Sequence, residues 1–284
     1  MTKLDPAMVK AVVARALEED IGEGDITTLA LAPAAEEAAA EIVAKEDCVV
    51  AGIPVAEAVF SRLDARVKLD AQVRDGEEVQ ASGLIAVVSG PASAILMGER
   101  TALNFLQRLS GIATLTRKFV EAVKDTDATI LDTRKTTPGL RHLEKYAVAA
   151  GGGTNHRMGL FDRVLIKDNH LSIQERFSAD AIARAVTVAR EKNPDAPVEV
   201  EAASLEAVEA AAKAGADCIL LDNMAPGELR EAVDLIAGRT ATEASGGITL
   251  DNVREIALTG VQFISVGFLT HSARAVDISM KIVR

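Results

Sequence analysis

The 284-residue sequence contains no tryptophan, one tyrosine and only 3% aromatic residues in all. Its 31 Lys and Arg are outnumbered by 42 Asp and Glu, leaving a formal charge of −11. A chain so acidic and so poor in stacking rings lacks both the electrostatic footprint and the platforms of a nucleic-acid binder. Any anionic ligand must therefore meet a local basic site. The two cysteines, Cys48 and Cys218, lie far apart in no Cys-x-x-Cys pattern, and read as small buried hydrophobes in a reducing compartment. No apolar run approaches the ~18 residues needed to span a bilayer. Asp5-Pro6-Ala7-Met8-Val9 reads as a helix N-cap with proline at the first helical position, not as a signal peptide, so the expected location is the cytoplasm.

What is present is ordinary globular material, with 49% hydrophobic and 26% charged residues. Residues 36–91 alternate short β-like runs (Ala40 to Lys45, Ala65 to Leu69, Glu78 to Gln80, Leu84 to Val88) with a helix near Pro54 to Leu63. That pattern predicts an open α+β sheet domain over residues 1–110. From Ser93 a long helix carries Leu96, Leu103, Phe105, Leu106 and Leu109, and Ser110-Gly111 is expected to interrupt it at the domain boundary.

Beyond residue 125 the text changes. Strand-like segments end at Asp132, Lys167, Glu201, Asp222, Ser245 and Gly267, and helices are expected at Ser204 to Ala214 and Pro226 to Ile236. Six or seven such units closing on themselves make a TIM-like α/β barrel over residues 111–270, with an open doubly wound sheet as the structural rival. In a barrel the C-terminal strand ends surround one cavity, so polar residues there are the candidates for function.

The strand ends supply two kinds of group. Residues 132–170 hold seven Lys/Arg against four Asp/Glu, and also His142, His156 and His170. Arg134 offers a planar fork for a carboxylate, while Lys135 and Lys167 offer point charges. His156-Arg157 follows the glycine-rich run Gly151 to Asn155, a loop from which a cation can reach a cavity; Arg141 and Lys145 are expected to decorate a solvated helix face. Glu201 and Asp222 form the acidic counterpart, suited to Mg²⁺, to ribose hydroxyls or simply to capping the helices that follow. Ser245-Gly246-Gly247 and Val266-Gly267 lie where barrels commonly place a phosphate. Arg100 falls within about 40° of Leu96 on an ideal helix, beside the apolar stripe, which suits either a buried pair or a subunit contact.

These residues carry a resemblance. Glu19 to Thr28, Asp132-Thr133-Arg134-Lys135-Thr136-Thr137-Pro138-Gly139, Asn155-His156-Arg157, Leu165 to His170 and Leu269 to Ala273 resemble the quinolinate phosphoribosyltransferase family along nearly the whole chain. The resemblance implies an N-terminal α/β sandwich domain, with the tail from about residue 271 to 284 packing against it, and a seven-stranded barrel. It also implies a homodimer with shared active sites, further assembly to a hexamer being left open. The implied reaction joins quinolinate to phosphoribosyl pyrophosphate with Mg²⁺, giving nicotinate mononucleotide, CO₂ and pyrophosphate, a step of de novo NAD biosynthesis.

By matched position the resemblance puts Arg134, His156, Arg157 and Lys167 in the quinolinate pocket with Arg100 from the partner, and Lys135 between the substrates beside Thr133. Glu201 and Asp222 serve ribose and metal as catalytic groups with Lys135, and Ser245, Gly246, Gly247, Val266 and Gly267 hold phosphate. Phe268 departs from the small residue usual after the Val-Gly pair. The alternatives are a nicotinate-type phosphoribosyltransferase without decarboxylation and a non-catalytic barrel that binds a phosphorylated metabolite.

Overall fold

The computed structural model describes residues 4–31, 36–172 and 178–283. In chain order the first elements are α1 (Pro6–Ile21), α2 (Ile26–Leu31), β1 (Glu37–Ala44), β2 (Cys48–Val49), α3 (Ile53–Leu63), β3 (Lys68–Ala71), β4 (Glu78–Val79), β5 (Leu84–Pro91) and α4 (Ala92–Val123). There follow β6 (Thr129–Leu131), α5 (Arg141–Ala150), β7 (Val164–Ile166), α6 (Asp168–Ser172), α7 (Ala179–Lys192), β8 (Val198–Ala202) and α8 (Leu205–Lys213). The last are β9 (Cys218–Asp222), α9 (Pro226–Ile236), β10 (Ala241–Ser245), α10 (Val253–Ala257), β11 (Phe263–Ser265), α11 (Phe268–His271) and β12 (Ile278–Val283). They form two compact units, one of Met1–Arg117, Thr136–Gly152 and Leu269–Arg284, the other of Lys118–Lys135 and Gly153–Phe268.

The first unit is built on an antiparallel sheet of order β12-β1-β5-β3. The C-terminal strand closes one edge of it, running beside β1 from Ala39↔Val283 to Ala44↔Ile278. At the N-terminus Asp5 accepts from the Ala7 N–H at 2.8 Å with Pro6 behind it, and Val9, Val13 and Leu17, four apart, bury one face of α1. Arg108 of α4 gathers the distant segments: it pairs with Glu144 of α5 at 2.9 Å and donates to the Ala273 and Thr270 carbonyls. Lys145 is not on a solvated face as expected but fully buried, because α5 is covered without a gap from Leu143 to Val148.

The break expected at Ser110-Gly111 is also absent, and α4 runs through it unbroken. Close packing explains the two helix-weak residues. Ser110 Oγ accepts from the Ala51 N–H at 3.0 Å, and a Cβ on Gly111 would lie 2.0 Å from the Arg274 carbonyl oxygen. The glycine marks a crossing of chains within the unit, not an end of helix.

The second unit holds a parallel sheet of order β6-β11-β10-β9-β8-β7, alternating along the chain with helices, which is the expected TIM-like barrel architecture. Six strands are assigned among the described residues, and a single parallel bridge, Leu131↔Thr154, lies on the free side of β6. On β8 the apolar Val198, Val200 and Ala202 alternate with Glu199 and Glu201, so the two carboxylates share one face of the strand. Both strand faces are covered: Glu199 is as buried as its apolar neighbours.

Gly111→Ala should destabilise the protein by about 1–3 kcal/mol in urea unfolding, although alanine is the better helix former, because the added methyl overpacks the crossing. Unchanged or higher stability would show that the segment around Arg274 yields at no cost.

Candidate active site

The C-terminal ends of the barrel strands place most of the expected residues in the second unit. Asp222 of β9 lies beside Ser245 of β10 in the ladder, and Glu201 of β8 is one inward step deeper, opposite Leu220. Thr133, Arg134 and Lys135 leave the end of β6, where Thr133 Oγ1 accepts the Lys135 N–H at 3.0 Å. Lys167 leaves β7 and its ammonium is paired with Glu201.

Arg157 is the most informative cation, since its residue is only 9% exposed. Burial, followed by the nearby charge of Arg134, pulls its pKa below the usual guanidinium range. The two guanidinium charges are near enough to act on each other, a repulsion that an anion between them would relieve. The loop carrying Arg157 is pinned by the buried Asp132, which accepts from Asn155 Nδ2 at 2.7 Å and from the His156 N–H at 2.8 Å. Arg157 Nη1 reaches back to the Arg163 carbonyl at 3.1 Å.

His156 turns inward. Its Nε2 stands 3.2 Å from Glu199 and 3.4 Å from Glu243, and its Nδ1 accepts the Arg157 N–H at 2.7 Å. Burial opposes a charged ring, but the hydrogen bonds and charges of the two carboxylates outweigh it and lift the His156 pKa to about 9. Burial pushes the Glu243 carboxyl up; burial acts on Glu199 in the same sense, but there the bond and charge from His156, with Arg163, prevail and hold it down. Because Nδ1 accepts the Arg157 N–H, the ring itself carries one proton, on Nε2, and the further proton taken up below a pKa of about 9 belongs to His156, Glu199 and Glu243 together. One atom of each lies within 4.8 Å of the others, a spacing that suits a metal ion. The Arg157 N–H on Nδ1, however, leaves the ring proton on Nε2, the atom that would have to ligate, so the cluster reads as a proton-holding seat.

Just after β10, Gly246 has φ 95° and a Cβ there would lie 2.1 Å from Asn223 Oδ1, while Gly247 has φ 60° and open space around it. Both glycines are required by backbone conformation, and the first also by contact. Val266 is buried and its N–H donates to the Leu131 carbonyl at 2.9 Å, so that group is spent within the sheet. Phe268, which follows Gly267, is partly exposed.

Arg100 belongs to the first unit, on an exposed part of α4, in a hollow of about 360 Å³ lined by Asp20, Asp25, Ile26, Leu96 and Met97. Among the described residues it has no ion-pair partner. Asp132, Asn155, Glu199 and Glu243 are the site residues that sequence reasoning missed. The signal for the two glutamates lay in Val-Glu-Val-Glu and Thr-Glu-Ala-Ser: alternation in a barrel strand packed by helices outside sends its polar positions inward.

Residues 25–110 match the family described as quinolinate phosphoribosyl transferase, N-terminal domain, and residues 112–281 match its C-terminal domain. The probable nicotinate-nucleotide pyrophosphorylase (carboxylating) of Bacillus subtilis (strain 168) is 46% identical over 265 residues, 93% of this chain and 90% of that one. The chloroplastic enzyme of the same name from Arabidopsis thaliana is 46% identical over 294 residues, 96% of this chain and 82% of the other. The solved nicotinate-nucleotide pyrophosphorylase of Francisella tularensis superposes with a TM-score of 0.93 at 39% identity, covering 99% of this chain and 98% of that one.

The proton held by the His156 seat links folding to pH. The folded pKa of about 9 lies above the unfolded value of 6.5, so the seat's stabilisation is complete below pH 6.5 and lost as pH rises through 9. Urea midpoints should fall across that window, and His156→Gln should flatten the fall; an identical slope in both proteins would place the proton elsewhere.

Proposed function

The chain belongs to the quinolinate phosphoribosyltransferase family, and from that premise we propose that it transfers the phosphoribosyl group of phosphoribosyl pyrophosphate to the ring nitrogen of quinolinate with loss of CO₂. The observation that carries the reading is the buried Arg157 beside Arg134. Like charges that act on each other in a partly desolvated site repel, and a dicarboxylate placed between them turns that repulsion into attraction. Lys167 supplies a third cation, held by Glu201 until a carboxylate competes for it.

Arg134, Arg157 and Lys167 bind and orient the pyridine dicarboxylate so that its nitrogen faces C1 of the ribose. Lys135, exposed after β6, stabilises the pyrophosphate as the C1–O bond breaks. The nitrogen lone pair forms the new C–N bond, and pyrophosphate leaves with the electrons of the old one. The ring nitrogen is then positive and accepts the electron pair released when the adjacent carboxylate departs as CO₂; a proton replaces it on the ring carbon. No covalent bond to the protein is needed. Ser245, Gly246, Gly247 and Gly267 serve the phosphate end.

Glu201 and Asp222 fit Mg²⁺ by their chemistry: hard carboxylate oxygens on adjacent strands, each partly open to solvent. When bound there, the ion would neutralise pyrophosphate charge. We further propose that a second copy of the chain supplies Arg100. The support is that Arg100 stands exposed among apolar groups that also lack cover, with Ile26 at 84%, Leu29 at 70% and Leu31 at 78% exposure on α2 and Leu96 on α4. No helix among the described residues is long and apolar enough to cross a membrane.

Quinolinate labelled in its 2-carboxylate should release CO₂ only when phosphoribosyl pyrophosphate is present, and Arg134→Ala or Lys167→Ala should lower kcat/KM by about 100-fold or more. Near-normal turnover in those variants would misplace the dicarboxylate pocket. Arg100→Ala subunits mixed with Lys167→Ala subunits should recover about a quarter of wild-type activity, since half the reassorted dimers carry one intact shared site of two. Absence of recovery would assign Arg100 to its own chain.

A further inference from the structure

Glu199 and Glu243 have no part in the chemistry above, yet their side chains are 1% and 0% exposed. Each lies two residues before a group of the reaction site on the same strand, Glu199 before Glu201 on β8 and Glu243 before Ser245 on β10. Each therefore occupies the next layer inward along the barrel. Glu199 Oε1 accepts no hydrogen bond from the described residues, and the Glu243 oxygens have none of good geometry, the His156 Nε2 standing 3.4 Å away. Buried carboxylates so poorly provided with donors are weak stabilisers, and apolar residues of similar volume would commonly serve folding better. Their placement answers to something other than stability.

What they hold is the His156 ring. That ring joins two strands of the barrel to the backbone of Arg157 within a single side chain: Nε2 lies between the two carboxylates and Nδ1 accepts the Arg157 N–H. A second path leads to the same guanidinium. Arg163 pairs with Glu199 at 3.3 Å, and the Arg163 carbonyl accepts from Arg157 Nη1 at 3.1 Å. Arg157 is thus tied at its main chain, through His156, to both buried acids and at its head group, through Arg163, to Glu199.

We propose that Glu199 and Glu243 are positioning residues of the transfer reaction, anchoring the His156 ring so that the Arg157 guanidinium meets a quinolinate carboxylate in one orientation. The proposal rests on the assignment of Arg157 to the quinolinate pocket. Neither glutamate touches substrate. Loosening the anchor displaces a binding group, and displacement of about 1 Å is enough to cost a large factor in an oriented complex.

The test uses the full-length enzyme carrying Glu199→Gln or Glu243→Gln, with Arg157→Ala as reference, and measures kcat, both KM values and thermal unfolding. Each Gln variant should raise the KM for quinolinate about tenfold or more while leaving that for phosphoribosyl pyrophosphate within about twofold. A lowered unfolding temperature with both KM values unchanged would make the pair purely structural and overturn the proposal. So would wild-type quinolinate KM in both Gln variants alongside an impaired Arg157→Ala. Wild-type quinolinate KM in Arg157→Ala would instead remove the pocket assignment itself. If a Gln variant fails to fold, Glu243→Asp keeps the charge and withdraws it by one methylene; the same selective rise supports the anchor, and an unchanged quinolinate KM overturns it.

Discussion

A buried guanidinium beside a second one is an arrangement a protein keeps only at a cost, and the Arg134–Arg157 pair sets the terms for everything around it. The net charge of −11 offers no long-range attraction to a dianion or to a pyrophosphate ester, so the attraction has to be local and held in place before the ligand arrives. Holding it requires rigid partners. Asp132 fixes the loop from the end of β6, and the strands that carry Glu199 and Glu243 fix it from inside the barrel.

The same constraint explains the pairing of Lys167 with Glu201. One belongs to the expected dicarboxylate pocket, the other to the expected ribose and metal position, and in the ligand-free arrangement each neutralises the other. The pair is partly solvated, with side-chain exposures of 42% and 14%, so it is weak enough to exchange partners. On the proposed reading a carboxylate arriving at Lys167 would free Glu201, so that one salt bridge would link the two halves of the site.

Much of this was legible in the sequence because barrel architecture turns spacing into geometry. The strand ends read at Lys167, Glu201, Asp222 and Ser245 all fall at or beside the ends of assigned strands, since each apolar run stops where the core stops. What was illegible depended on contacts between distant segments. Ser110 and Gly111 look like a helix break by local propensity, and only the approach of Ala51 and Arg274 reveals why they persist inside α4. Lys145 failed for the same reason: a lysine on a helix is assigned to water unless the surrounding chain is known to cover it. Glu199 and Glu243 were passed over because a glutamate alternating with valine, or set between threonine and alanine, resembles a half-exposed strand, and burial of its polar face is a property of the assembled unit rather than of the strand.

The distribution of charge along the barrel axis then follows. Acids with His156 and Arg163 occupy the inner layer, and Arg134, Lys135, Arg157 and Lys167 come from the strand ends and the loops beyond them. A cation cluster raised on an acid layer is less repelled by its own members, because the carboxylates below contribute an opposing field across low-dielectric space. That field cannot neutralise the cluster in place of a ligand, since the acids are already engaged with the imidazole and with Arg163. The ligand-free site is therefore stable enough to fold and still short of anion at its mouth. On the proposed reading a dicarboxylate and a pyrophosphate ester would supply what is missing, and the energy of binding would be spent where the charges of the reaction develop.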